Sequence, residues 1–218
     1  MHPAGEVDLA SDRETVEIAR RTVAVVNSIN LYKPVNSIAM AWPPSSRVVN
    51  SSTWLLEKFS KLGLAGMLPN FLPNIGGTCS MEQSGATVAI NDLLVSVHGH
   101  DDNASMVLFP GGWPASQAVR FERIRIKGAF TVSAAAVGAG DKADGSAPLP
   151  VKLTAPVDIA SLAGQNLTFA WAAGGTPTVK AVGGAAVPVE AVGCGVQGTL
   201  GLSCYRVATA VGGSYTLQ

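Results

Sequence analysis

The residues best placed to do chemistry gather around one glycine-rich turn, Ile75-Gly76-Gly77-Thr78-Cys79-Ser80-Met81-Glu82-Gln83, which holds a single carboxylate. Glu82 is the candidate catalytic residue, the one carboxylate on the turn that opens a helix. The competing reading is that it complements the positive end of that helix. The candidate substrate-binding residues are Trp42, Asn70, Asn74, His98 and Trp113. The two asparagines can bond a ligand hydroxyl but suit turns equally well, and the two tryptophans offer aromatic faces from loops. Trp171, at the end of an apolar strand, fits a core better. His98, His100, Asp101 and Asp102 could suggest a metal, but their spacing matches no standard site and fits a polar loop. Zinc is disfavoured too, since the cysteines lack paired spacing and a nearby histidine. No metal and no cofactor are expected.

The element that must position Glu82 is a helix over residues 84–97. Ser80 and Gln83 stand at capping-box spacing, and Ala86, Ala89, Ile90, Leu93, Leu94 and Val97 recur at three- and four-residue steps. His98 and Gly99 suit its C-terminal end. Upstream, residues 1–9 lack periodicity and are expected to be a mobile tail or the stump of a longer chain. Ser11 and Glu14 form a second capping box ahead of Val16, Ala19, Val23 and Val26. A short helical piece over 36–41 must stop before Pro43 and Pro44. A third helix, capped by Ser51 or Ser52, carries Trp54, Leu55, Phe59 and Leu62.

After Met106 the pattern changes to short runs with β-branched or alternating apolar residues: 106–109, 130–136, 151–155, 167–171, 178–182, 187–192, 205–208 and 214–217. Residues 121–126 fit a helical turn or a strand, and 139–150 a hairpin loop. The expected fold class is therefore α+β, with N-terminal helices over 1–103 followed by an antiparallel β-sandwich over 104–218.

The chain has 218 residues, enough to bury a core without staples, and its 15 Lys and Arg balance 15 Asp and Glu. With no basic excess and no basic run, nucleic acid and an anionic membrane surface are not expected partners. No stretch is long and apolar enough for a membrane span, and no signal peptide or anchor is visible. Cys194 and Cys204 could close one loop as a disulfide, which would leave Cys79 unpaired. Asn50-Ser51-Ser52, Asn103-Ala104-Ser105 and Asn166-Leu167-Thr168 fit the glycan acceptor pattern. Together these lean toward the secretory pathway.

Taken together, Asn91-Asp92-Leu93-Leu94, then Leu108-Phe109-Pro110-Gly111-Gly112-Trp113-Pro114, then Phe121-Glu122-Arg123-Ile124-Arg125-Ile126-Lys127-Gly128-Ala129-Phe130-Thr131-Val132-Ser133 resemble the end of the catalytic region of the α-L-fucosidase-like glycoside hydrolases, family 95. Residues 205–217 are similar to the closing strands of that family's C-terminal β-domain. The resemblance implies an (α/α)6 barrel followed by a β-sandwich, with only the last helices and the sandwich in this chain and the upstream barrel helices absent from it. It implies a glycan or oligosaccharide substrate and an inverting mechanism, in which a carboxylate base activates a water across the sugar from the acid. The family carries Asp-Gly-Asn where this chain has Met81-Glu82-Gln83-Ser84-Gly85, so the base role comes to Glu82 by position. The general acid would lie upstream, so the chain alone is expected to have no hydrolase activity. Val16, Val23, Ile90 and Leu94 are expected to face the barrel. The alternative is a non-catalytic carbohydrate-binding or structural β-sandwich.

Overall fold

The computed structural model describes residues 8, 10–12, 14, 15, 18, 91–110, 113, 116–138, 151–171, 175–196 and 202–218. Twelve strands among them form two sheets. The first sheet holds β1 (Val95–His98), β2 (Ser105–Leu108), β7 (Leu167–Trp171), β11 (Ser203–Val207) and β10 (Glu190–Val192), in that spatial order. The second runs β3 (Ala118–Ile126), β4 (Phe130–Gly138), β6 (Val157–Ser161), β12 (Ser214–Leu217), β8 (Val179–Ala181) and β9 (Ala186–Val187). Strand β5 (Val151–Leu153) continues the line of β6 along the same edge of β4.

Period-two sequence makes these strands. In β4 every second residue is buried, so Phe130, Val132, Ala134 and Ala136 line one face. In β6 Val157, Ile159 and Ser161 do the same. The hydrophobic core joins the two sheets: Met106, Leu108, Leu167, Phe169 and Val207 of the first meet Phe121, Phe130, Val132, Ile159 and Leu217 of the second. Phe169 stacks on Tyr205 and meets Trp171 edge-on. A fully buried side chain of this size contributes about 1.5–3 kcal/mol. The result is a sandwich, with one parallel pair, β2 and β7, in an otherwise antiparallel arrangement.

The outer face of the first sheet is covered as well. Val107, Ala170, Val196, Leu202 and Cys204 form a second buried cluster, with Ala10 packed against it. That is why β2 is buried at all four positions and β7 at four of its five. A disulfide joins Cys194 to Cys204, with Cα atoms 5.9 Å apart, and holds the cover on β11.

Several expectations are corrected here. Among the described residues the α+β class gives way to a mostly β fold. Helical residues among those described are few: 14, 15 and 18, 91–94, 195 and 196, and one 3₁₀ turn, Asp101–Asn103. The helix expected to reach Val97 ends at Leu94, and Val95–His98 is β1 instead, paired in register with Ser105–Leu108. Two β-branched residues spaced two apart, Val95 and Val97, suit a pleated surface better than a last helical turn. The β1–β2 hairpin thus runs across residue 103, where a change of architecture was expected. Leu94, expected to face a barrel, packs on the sandwich core, and its carbonyl accepts the Phe109 N–H.

Other corrections are smaller. Residues 118–126 form a strand, with an irregularity between Phe121 and Ile124 where Arg123 has φ 54°. Strand β6 carried no expectation although its alternation is clear. The 187–192 run splits into β9 and β10 around Pro188, which cannot donate to a ladder. At the start of the chain the cap is Asp12, which accepts the Thr15 N–H at 2.9 Å and the Thr15 hydroxyl at 2.6 Å. Those bonds and its own turn hold the Asp12 carboxyl below the usual range. Asp8, expected in a mobile tail, is tied down: its carboxylate accepts N–H groups of Ala10 and Gly99, at 2.8 and 2.6 Å. The helices expected over 36–41 and after Ser51 or Ser52, the start of the 84–97 helix and the 139–150 loop lie outside the described residues.

Candidate functional site

A cleft of about 580 Å³ opens at one end of the sandwich, between the sheets. Three connections and one strand residue build it. From the first sheet come the 3₁₀ turn between β1 and β2, the residues just ahead of β7, and Arg206 on β11. From the second comes the β3–β4 turn, Lys127-Gly128-Ala129. Val97, Met106, Phe130 and Leu167 give it an apolar floor, and the last three are nearly or fully buried. Asp101, Asp102, Lys127, Gln165 and Asn166 stand exposed around the rim, and Arg206 is half-buried in the wall.

Local chemistry fixes these turns. Register pairs Ile126 with Phe130, so β3 and β4 are joined by three residues, with Gly128 at φ 90° and Ala129 at φ 59°. Glycine enters the left-handed region without penalty, whereas alanine there costs about 1–2 kcal/mol. A Cβ on Gly128 would stand 3.0 Å from the Phe130 ring of the same hairpin, so the glycine lets the turn lie against that ring. Asp101 is also left-handed, at φ 49°, and its carbonyl accepts the Ala104 N–H at 3.1 Å. Arg206 is anchored: Nε donates to Thr168 Oγ1 at 3.4 Å and Nη2 to the Asp102 carbonyl at 3.3 Å. Thr209 bonds the Gln165 carbonyl at 2.5 Å and Ser161 Oγ at 2.7 Å, which holds the loop that carries Gln165 and Asn166.

Of the residues singled out in the sequence, Glu82, Trp42, Asn70 and Asn74 lie outside the described residues. His98 is 2% exposed at the end of β1, and its Nε2 shares a 2.7 Å hydrogen bond with Ser96 Oγ. Burial pushes its pKa down to about 4, against the opposing field of Asp8. Its ring thus faces the interior, while His100, Asp101 and Asp102 are exposed. Trp113 is half-buried, and its indole Nε1 is enclosed with no hydrogen-bond partner among the described residues. Neither His98 nor Trp113 lines the cleft. Asp92, just ahead of β1, is half-buried, and desolvation raises its carboxyl to about 6.

Of the cleft residues, Lys127, Gln165 and Arg206 carried no site expectation, and Asn166 entered only as part of a glycan acceptor pattern. Two signals existed: Arg206 is a charge inside an otherwise strand-like run, and Lys127 opens a Gly-Ala turn between apolar alternations. Among the described residues no three His, Cys, Asp or Glu side chains come together, and no helix is long and apolar enough to cross a membrane. Compared with protein-family models and with curated proteins, the chain matches none.

Proposed function

We propose that the sandwich is the non-catalytic β-module of a carbohydrate-active hydrolase of the α-L-fucosidase-like kind. The observation that supports this is a contact between two of the segments that carry the resemblance. Phe109, from Leu108-Phe109-Pro110, meets Phe121, from the Phe121 to Ser133 segment, edge-to-face with ring centroids 5.7 Å apart. The second segment is the β3–β4 hairpin, and Phe130 and Val132 from it fill the same core. Two segments that carry the resemblance therefore pack into one core. The Cys194–Cys204 disulfide suits the oxidising compartment in which secreted hydrolases mature. The two carboxylates at the cleft, Asp101 and Asp102, are neighbours on one turn. They offer acceptors from one side, whereas an inverting mechanism places acid and base on opposite faces of the sugar. The role of this unit is to bind and support, with the acid and base coming from elsewhere in the protein.

An antibody to residues 151–218 tests the reading in extracts of the source cells. Depleting the antigen should remove α-L-fucosidase activity together with a species several times larger than this chain. Activity that stays behind after complete depletion refutes the assignment. The purified chain should release nothing from a chromogenic fucoside, and turnover by it would refute the non-catalytic role.

A further inference from the structure

We propose that Asn166 is a modification site and carries an N-linked glycan. The acceptor triplet Asn166-Leu167-Thr168 has no proline in the middle and ends in threonine. A triplet of this kind can take a glycan where it lies on the surface of a secreted protein. The fold puts this one in the open. In the connection between β6 and β7, Leu162, Ala163, Gln165 and Asn166 are exposed and Gly164 is half-buried, so the whole loop stands out from the sandwich. Asn166 is its last residue. Leu167, next in the chain, opens β7 and drops its side chain into the core, and strand alternation turns the residue ahead of it outward.

The loop is also held in place without the Asn166 side chain. The Gly164 N–H donates to Ser161 Oγ at 3.1 Å, and Thr209 Oγ1 donates to the Gln165 carbonyl at 2.5 Å. A substituent on Asn166 therefore disturbs none of these bonds. Thr168 fixes the order of events. It is 8% exposed, and its Oγ1 accepts Arg206 Nε at 3.4 Å, so the hydroxyl that completes the triplet is closed in once β7 pairs with β11. Transfer thus precedes that pairing, on the chain as it enters the compartment, and the outward position of Asn166 leaves the product room in the folded sandwich. The donor is an oligosaccharide on a polyprenyl diphosphate. A bond forms from Asn166 Nδ2 to the anomeric carbon while the bond from that carbon to the diphosphate oxygen breaks. The lipid diphosphate leaves with the electron pair, the amide loses one proton, and nothing is oxidised or reduced. The Cys194–Cys204 disulfide places the chain where such transfer occurs, in an oxidising compartment. That compartment is all the modification shares with the function proposed above. Because Asn166 also lines the cleft, its glycan rises from the cleft rim.

Native protein captured from the source cells with the antibody to residues 151–218 provides the test. Peptide N-glycosidase in heavy-oxygen water converts a glycosylated asparagine to aspartate that carries the heavy atom. The tryptic peptide 153–180 should bear this mark at residue 166 in most copies, and without the enzyme little of it should show a bare Asn166. Asn166→Gln changes an exposed side chain, and in the same cells the variant should migrate one glycan step faster on a denaturing gel. Thr168→Ser keeps the hydroxyl and should keep the mark. A native peptide with Asn166 mostly bare overturns the proposal, as does a mark at residue 50 or 103 with none at 166, or unchanged mobility of Asn166→Gln. The antibody depletion reads fucosidase activity and not the modification. A bare Asn166 with activity depleted strikes out the glycan alone, and a marked Asn166 with activity left behind strikes out the hydrolase reading alone.

Discussion

Asp92 and His98 stand six residues apart on either side of the helix-to-strand junction, and burial perturbs them in opposite senses. The Asp92 carboxyl is raised from 3.8 to about 6, so the folded chain holds a proton that the unfolded chain gives up in that window. Its contribution is fully present below pH 3.8 and lost as pH rises through about 6. The shift of about two units corresponds to about 3 kcal/mol, which partial exposure reduces to about 2. His98 is lowered from 6.5 to about 4, so its contribution is present above 6.5 and lost as pH falls toward 4, worth about 3 kcal/mol. Between pH 4 and 6 the two slopes oppose each other, and this pair leaves stability nearly level. Asp92→Asn removes one slope. Urea unfolding followed by tryptophan fluorescence at half-unit steps from pH 4 to 7.5 should give a variant-minus-wild-type difference near zero at pH 4. That difference should grow to about 2 kcal/mol in favour of Asp92→Asn above pH 6. Every other titrating group is common to both proteins and drops out. Parallel curves, or a variant weaker than wild type at pH 7, would show that Asp92 is not a destabilising buried carboxylate.

Other outcomes follow from the same packing. Phe169→Ala empties a fully buried position between Trp171 and Tyr205 and should cost about 3–5 kcal/mol, read as a lower urea midpoint. Reducing the Cys194–Cys204 bond, which closes a loop with sequence separation 10, should cost about 2–3 kcal/mol; unfolding with and without a thiol reductant measures it. Tyr215→Phe removes the hydroxyl that accepts the Ala210 N–H at 2.7 Å across the β11–β12 connection. It should cost about 1 kcal/mol with no change in the far-ultraviolet circular dichroism spectrum.

What the sequence made legible follows from where period two is uninterrupted. Leu167 to Trp171 and Ser214 to Leu217 were bounded correctly, because turn residues flank short runs rich in aromatic and β-branched side chains. The junction at 94–95 was misread for a physical reason. Leu93, Leu94 and Val97 satisfy helical steps, while Val95 and Val97 satisfy strand steps, and the two patterns share a residue. Pairing with Ser105–Leu108 decides between them, and a partner on the far side of a turn is not visible in a local window. Strand β6 carries a charged second residue, Asp158, which is uncommon in strands but here is the outward half of a clean alternation.

The candidate site was the least legible part, and its construction explains this. The residues the sequence offers for chemistry are a carboxylate on a glycine turn, two tryptophans, two asparagines and a histidine. In the described structure His98 turns inward to Ser96, and its work is to fill and polarise a buried strand end. The cleft instead draws on Lys127, Gln165, Asn166 and Arg206, each ordinary in its own stretch. They meet only because β2 and β7 run parallel, which brings the β1–β2 turn beside the start of β7, while the β3–β4 turn of the other sheet arrives over them. A site assembled from turns of two sheets has no local spacing to recognise. Its specificity then rests on the balance of charge and hydrogen-bonding groups across the walls, so changing Asp102 to Asn should tilt the cleft toward anions. Phosphate titration of that variant, set against wild type, is the measurement: an affinity for phosphate raised severalfold supports the charge-balance argument, and an unchanged one refutes it.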